Sequence, residues 1–124
     1  MKTFTLSEAN AALIEIEADL QQLRRHNDLL KACQAEAEAA SSSSRFGGGM
    51  PSGTAYITAL CGLRDIAAAI TERGIEIKDI SRGLIDFPSL RNGRIVYLCW
   101  QLGEGSEIEF WHEQDGGFAG RKPL

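Results

Sequence analysis

Seven side chains that could bind a ligand or exchange protons lie in the last third of this 124-residue chain. They are Arg94, Trp100, Glu104, Trp111, His112, Asp115 and Arg121. An imidazole can change charge near neutral pH, an arginine can form two parallel hydrogen bonds to a carboxylate, and an indole offers an apolar wall. With a glycine-rich tail that lets backbone approach closely, this set predicts a pocket for an anion or a small molecule.

The same residues also allow a purely structural interpretation. Arg121 would then pair with Asp115, and Phe118 would pack on the sheet edge, so that the tail is clamped without a ligand. His112 would be a hydrogen-bonded structural residue. Residues 112–115 do not suit a metal by themselves, because neighbouring strand side chains point to opposite faces. We predict no catalytic residue, no cofactor and no metal ligand from the sequence.

Composition and charge narrow the class of protein. The net charge of −4, with acidic and basic residues interspersed, argues against nucleic-acid binding. Three cysteines, Cys33, Cys61 and Cys99, are odd in number and have no CxxC spacing, so they predict free, mostly buried thiols in a reducing compartment. Because no apolar stretch reaches membrane-spanning length and the N-terminus lacks a signal core, we expect a cytoplasmic protein with no membrane partner.

The first half of the chain has helical periodicity. Thr5 and Glu8 have the spacing of a capping box, and large apolar residues then recur every three or four positions. The pattern predicts helix 1 over about 6–40, a flexible Ser/Gly linker over 41–53 and helix 2 over about 54–73, all in a single domain of residues 1–124. Residues 48–54 imitate the spacing of a phosphate loop, but they lack its lysine, which favours the linker interpretation.

The apolar stripe of helix 1 follows a heptad pattern, as in a coiled coil. Since helix 1 is longer than helix 2, the stripe predicts a homodimer interface. Its residues are Leu13, Ile16, Leu20, Leu23, Asn27 and Leu30. Asn27 at an apolar position would either fix the register with its symmetry mate or lie at the hairpin edge, bonded to water or backbone.

From Gly74 the period changes from helical to alternating. Residues 75–80, 84–87, 94–102 and 107–113 read as strands, with Pro88 ending the second and Asn92–Gly93 forming a tight turn. Helices first and strands afterwards indicate an α+β fold. We therefore predict a long antiparallel two-helix hairpin followed by a small, mostly antiparallel sheet of three to four strands.

Three C-terminal segments resemble a known bacterial family, domain of unknown function 2203 (DUF2203). They are Tyr97–Glu104, Glu107–Glu113 and Gly117–Arg121, and the likeness extends to Phe4–Asn10, Gly74–Asp79 and Gly83–Pro88. The resemblance implies no established activity, cofactor or catalytic residue. Members often carry proline where this chain has Ile14, and Ile14 permits one continuous helix.

Two functions follow as hypotheses. The favoured one is a non-enzymatic, self-associating cytosolic domain that uses the helix 1 stripe. The alternative is a small-molecule- or anion-binding protein, or an enzyme, with its site at the Trp111, His112 and Arg121 end of the sheet. Nucleic-acid binding ranks third because the chain is acidic.

Overall fold

The computed structural model describes residues 2–42 and 53–124. This part of the chain forms two helices followed by a five-stranded antiparallel sheet, which confirms the α+β fold class. The helices are α1 (Leu6–Ser42) and α2 (Gly53–Glu72). The strands are β1 (Glu76–Asp79), β2 (Leu84–Arg91), β3 (Arg94–Gln101), β4 (Phe110–Glu113) and β5 (Lys122–Pro123). Most of the predicted linker lies outside the described residues.

The start of α1 is held by the capping box. The Thr5 amide donates to Glu8 Oε1 at 2.9 Å, and the Glu8 amide donates to Thr5 Oγ1 at 3.1 Å. These bonds from Thr5 lower the pKa of the Glu8 carboxyl. The helix then runs through Ile14 without a break and spans 37 residues, because Ile14 keeps the amide that proline would lack.

The apolar stripe of α1 packs inside the chain's own core. Four of the six predicted interface side chains have exposed fractions of 0–1%, namely Leu13, Ile16, Leu20 and Leu23. They form one cluster with α2 and with the sheet. These four are therefore not available to a second copy in this arrangement. Asn27 and Leu30, further along α1, are half-buried.

The strands follow one another in the order β1-β2-β3-β4-β5, each antiparallel to its neighbour. The fifth strand exceeds the predicted three to four, because β5 is a two-residue pairing with β4 inside the glycine-rich tail. The predicted Asn92–Gly93 turn is present: both residues have positive φ, 52° and 76°, as a type I′ turn requires. This turn sets the β2–β3 register.

The sequence had suggested that Pro88 ends β2, but the strand continues past it. The Pro88 carbonyl accepts a hydrogen bond from the Phe4 amide at 2.7 Å. The nitrogen and carbonyl of one strand residue point to the same side, so the missing amide also faces Phe4 rather than β3. Pairing with β3 therefore continues, with Pro88 opposite Tyr97, and β2 extends to Arg91.

The last long strand is shorter than predicted: β4 begins at Phe110, not at Glu107. The reason is a contact with α1, since the Ile108 amide donates to the Asn10 side-chain oxygen at 2.8 Å. That bond satisfies the Ile108 amide outside the sheet ladder and ties the β3–β4 loop to α1.

The sheet has two different faces. Its inner face packs on the helices through Ile85, Phe87, Leu98, Trp100 and Trp111. The alternate positions form what we call the outer face, which comprises Asp86, Tyr97, Cys99, Phe110 and His112. The C-terminal segment, residues 114–121, lies against this outer face and partly covers it.

Candidate functional site

Three polar side chains meet, buried, on the outer face. Asp86 in β2, Cys99 in β3 and His112 in β4 have exposed fractions of only 2%, 1% and 3%. The register places Asp86 directly opposite Cys99, while His112, paired with Tyr97, is diagonal to Cys99. A carboxylate oxygen, the thiol sulfur and an imidazole nitrogen therefore lie within 4.8 Å of one another.

Both ring nitrogens of His112 have partners. Nδ1 lies 2.7 Å from the Glu113 carbonyl oxygen, and Nε2 lies 2.9 Å from Asp86 Oδ2. A carbonyl oxygen can only accept, so Nδ1 is the protonated nitrogen that donates. One further proton must then lie between Nε2 and the Asp86 carboxylate, on either atom. Asp86 and His112 form an oriented, buried acid–base pair.

The thiol of Cys99 is held in its neutral form. Burial raises the pKa of the Cys99 thiol, and the negative charge of the neighbouring Asp86 raises it further, to about 12. The thiol is therefore protonated at neutral pH. Because the thiolate is the nucleophilic form of cysteine, Cys99 is not a ready nucleophile in this state.

A cavity of about 230 Å³ opens above these three side chains, and we call it the outer-face cavity. Asp86, Cys99 and His112 form its floor. Its walls are Lys78, Leu84, Tyr97, Gln114, Gly117 and Phe118. Among the described residues, Asp86 Oδ1 has no hydrogen-bond partner; Cys99 offers the carboxylate only a thiol, which is a weak donor.

The cavity wall includes Lys78, whose charge is paired with that of Glu76, and Tyr97. Lys78 Nζ donates to Glu76 Oε1 at 2.6 Å, and this bond raises the pKa of Lys78. The ring of Tyr97 stacks on that of His112, with centroids 5.4 Å apart, and Lys78 Nζ lies 5.5 Å from the Tyr97 centroid. Burial raises the pKa of Tyr97. Tyr97 therefore keeps its proton at neutral pH and can both donate and accept.

The C-terminal segment is fastened over the outer face by Arg121. Its guanidinium donates to both carboxylate oxygens of Glu104, at 2.7 and 2.8 Å. It also lies over the rings of Phe110 and Phe118, 4.1 and 4.6 Å from their centroids. In the structural interpretation from the sequence Arg121 pairs with Asp115, whereas in the structure it pairs with Glu104.

The structure separates the seven predicted site residues. Only His112 lines the outer-face cavity. Trp100 and Trp111 are buried on the inner face, where the Trp100 indole donates to the Gly105 carbonyl at 2.8 Å. Arg94 and Asp115 line a different, open depression beside Glu113.

Sequence reasoning missed Asp86, Cys99, Lys78 and Tyr97. A signal for Asp86 was present, because it is a lone carboxylate in the apolar run 84–87, and a buried charge needs a reason. The Asn92–Gly93 turn also fixes Asp86 opposite Cys99. The position of His112 depends on the irregular loop 102–109, for which the sequence has no comparable register signal.

Comparison with known proteins identifies a family but no individual relative. No helix within the described residues has the length and apolar character needed to cross a membrane. No curated protein and no solved structure matches the chain. Residues 2–124 match the family model described as "Uncharacterized conserved protein (DUF2203)", in agreement with the resemblance in the C-terminal segments. Since the match covers essentially the whole chain, the protein belongs to the DUF2203 family.

Proposed function

We propose that the protein binds a small ligand in the outer-face cavity and that this ligand presents a cation or a hydrogen-bond donor to Asp86. The main support is Asp86 Oδ1, which belongs to a side chain only 2% exposed and has no hydrogen-bond partner among the described residues. Leaving a buried carboxylate oxygen without a donor costs free energy. A ligand that supplies the donor recovers that cost.

Cavity size limits the ligand. The volume of about 230 Å³ lies below the range of roughly 300–1,000 Å³ that is usual for drug-sized ligands. The floor is polar, whereas Leu84 and Phe118 give the wall apolar surface. We therefore propose a compact ligand with one cationic or donor end and a short apolar or hydroxylated remainder.

Thermal unfolding in the presence of two simple probes tests this proposal. Ethanolamine represents an organic cation, Zn²⁺ represents a metal ion, and each is added alone. The test variant is Asp86→Asn, whose amide can still donate to His112 Nε2 but which removes the charge that faces the cavity. The matched control is Asp115→Asn, because Asp115 is exposed and lies outside the cavity lining.

The expected result is a rise in Tm with at least one probe for the wild-type protein and for Asp115→Asn, and a smaller or absent rise for Asp86→Asn. Mass action links such a rise to preferential binding by the folded state. Two results would contradict the proposal: no rise with either probe, or an equal rise in the wild type and in Asp86→Asn.

Self-association through the helix 1 stripe remains a prediction from the helical pattern and is not the function proposed. The interface proposed from the sequence needs Leu13, Ile16, Leu20 and Leu23 at the surface, and these side chains lie in the core. Sedimentation at high micromolar concentration would show whether the protein self-associates by other contacts.

A further inference from the structure

The floor of the outer-face cavity has the composition of a metal site. It offers one carboxylate, one thiol and one imidazole, from Asp86, Cys99 and His112. The three side chains come from adjacent strands of one sheet, which is a rigid support. Ligands of a tetrahedral zinc ion at the usual bond lengths lie roughly 3.5 Å apart. The present separations, 2.9 Å between His112 Nε2 and Asp86 Oδ2 and up to 4.8 Å within the cluster, bracket that value.

The histidine is already oriented as a metal ligand. Its Nδ1 donates to the Glu113 carbonyl at 2.7 Å, which fixes the ring and directs Nε2 toward the cluster. Metal-bound histidines typically donate their other nitrogen to a carbonyl or carboxylate in this way. The second histidine of the chain, His26, lies elsewhere, against Gly62 between the helices.

Formal charge balance suits a divalent ion at this cluster. A thiolate and a carboxylate together carry two negative charges, and a neutral imidazole carries none. With a divalent ion the cluster would therefore be neutral overall, and binding would release the displaced ligand protons to solvent.

The cavity leaves room for a further metal ligand. Three protein ligands and one open position are typical of catalytic zinc sites, whereas structural zinc sites have four protein ligands. Here the open position would face the cavity, which Lys78, Tyr97 and Gln114 line. The combination of thiolate, imidazole and carboxylate suits zinc better than magnesium or calcium, which prefer oxygen ligands.

From this geometry we infer that Asp86, Cys99 and His112 bind one zinc-type divalent ion, with its open coordination position directed into the outer-face cavity. This inference rests on the proposed function, since it identifies the cation that Asp86 receives. Cobalt(II) is a suitable probe, because a Co(II)–thiolate bond gives a charge-transfer absorption in the near ultraviolet that oxygen and nitrogen ligands do not give.

The experiment titrates metal-free protein with Co²⁺ and records the absorption spectrum. The wild type should bind one equivalent and develop the thiolate band. Cys99→Ser should lose the band and bind more weakly by more than the roughly 10–100-fold that loss of an outer-shell partner costs. Cys61→Ser is the matched control, because Cys61 lies on α2 and should keep the wild-type spectrum.

A second measurement needs no variant, in case Cys99→Ser does not fold. Side-chain nitrogen NMR of the wild type should show that one equivalent of Zn²⁺ shifts the Nε2 resonance of His112 and leaves His26 unchanged. The inference is overturned if wild-type protein shows no Co²⁺–thiolate band, if the band persists in a folded Cys99→Ser variant, or if Zn²⁺ leaves His112 unchanged. Ethanolamine binding that depends on Asp86, without the metal signals, would overturn the metal site alone and leave the proposed function standing.

Discussion

At the scale of single residues, the buried pair of Asp86 and His112 decides what the outer face can do. The inner face of the sheet packs on the helices through apolar side chains. On the outer face, by contrast, the ionisable side chains of Asp86 and His112 lie beneath a cavity. Burying a polar pair is favourable only when its hydrogen-bonding capacity is filled. Apart from the weak Cys99 thiol, the described residues offer Asp86 Oδ1 no donor, so a ligand bound above the pair would fill that capacity.

Arg121 is the residue whose replacement should loosen the cover of this site. Lysine keeps the charge but loses the fork onto Glu104 and the planar contact with Phe110 and Phe118. We expect Arg121→Lys to lower the free energy of unfolding by about 1–2 kcal/mol. We also expect it to speed the reaction of Cys99 with a thiol reagent, as measured by mass spectrometry of labelled peptides.

The control is Arg94→Lys. Arg94 pairs with Glu113 at 3.0 Å, but its side chain is 60% exposed, and exposed pairs contribute little. Urea unfolding and Cys99 labelling should both stay near the wild-type values for this variant. If Arg121→Lys behaved like Arg94→Lys, Arg121 would not be what fastens the C-terminal segment.

At the scale of elements, the turn between β1 and β2 carries a sharp test of packing. Gly83 has φ +61°, and a Cβ there would come within 2.4–2.9 Å of three atoms of Leu102. Gly93 also has positive φ, +76°, but a Cβ there would meet nothing within 4 Å. Gly93→Ala should therefore cost only the backbone strain, about 1 kcal/mol.

Gly83→Ala should cost about 1–3 kcal/mol more than Gly93→Ala, because the buried Leu102 must also move. Urea unfolding of the two variants measures the difference directly. Equal destabilisation would mean that the loop carrying Leu102 adjusts freely and does not pack on the β1–β2 turn as described.

Local signals explain which elements could be predicted. The capping box of Thr5 and Glu8 and the Asn92–Gly93 turn depend on neighbouring residues only, and both form as expected. The ends of β2 and β4 depend on contacts across the fold, from Phe4 and Asn10, which no local pattern contains. The candidate site depends mostly on contacts across the fold, because its three side chains come from three strands that must be in register.

At the scale of the whole molecule, the heptad stripe of α1 packs within the chain itself. A stripe of leucines at intervals of three and four fits a partner helix from another copy and a core within the same chain equally well. Here α2 and the sheet cover Leu13, Ile16, Leu20 and Leu23. Periodicity identifies the buried side of a helix but not what buries it.

The variant Leu20→Glu tests whether the stripe of α1 lies in the core of a single chain. Leu20 is 1% exposed, so a glutamate there would bury a charge and should destabilise the monomer by at least about 4 kcal/mol. Ile14→Glu is the control on the same helix: Ile14 is 76% exposed, and we expect a change within about 0.5 kcal/mol. Thermal unfolding by circular dichroism measures both; a Leu20→Glu protein as stable as the wild type would contradict the core described here.

The most direct test of the account is a crystal structure of protein purified without chelator and soaked in Zn²⁺, with anomalous data at the zinc edge. We expect an anomalous peak at about 2.0–2.3 Å from Asp86, Cys99 Sγ and His112 Nε2. An outer-face cavity that contains water alone, with Asp86 Oδ1 bonded to that water and zinc bound only at surface carboxylates, would contradict the account.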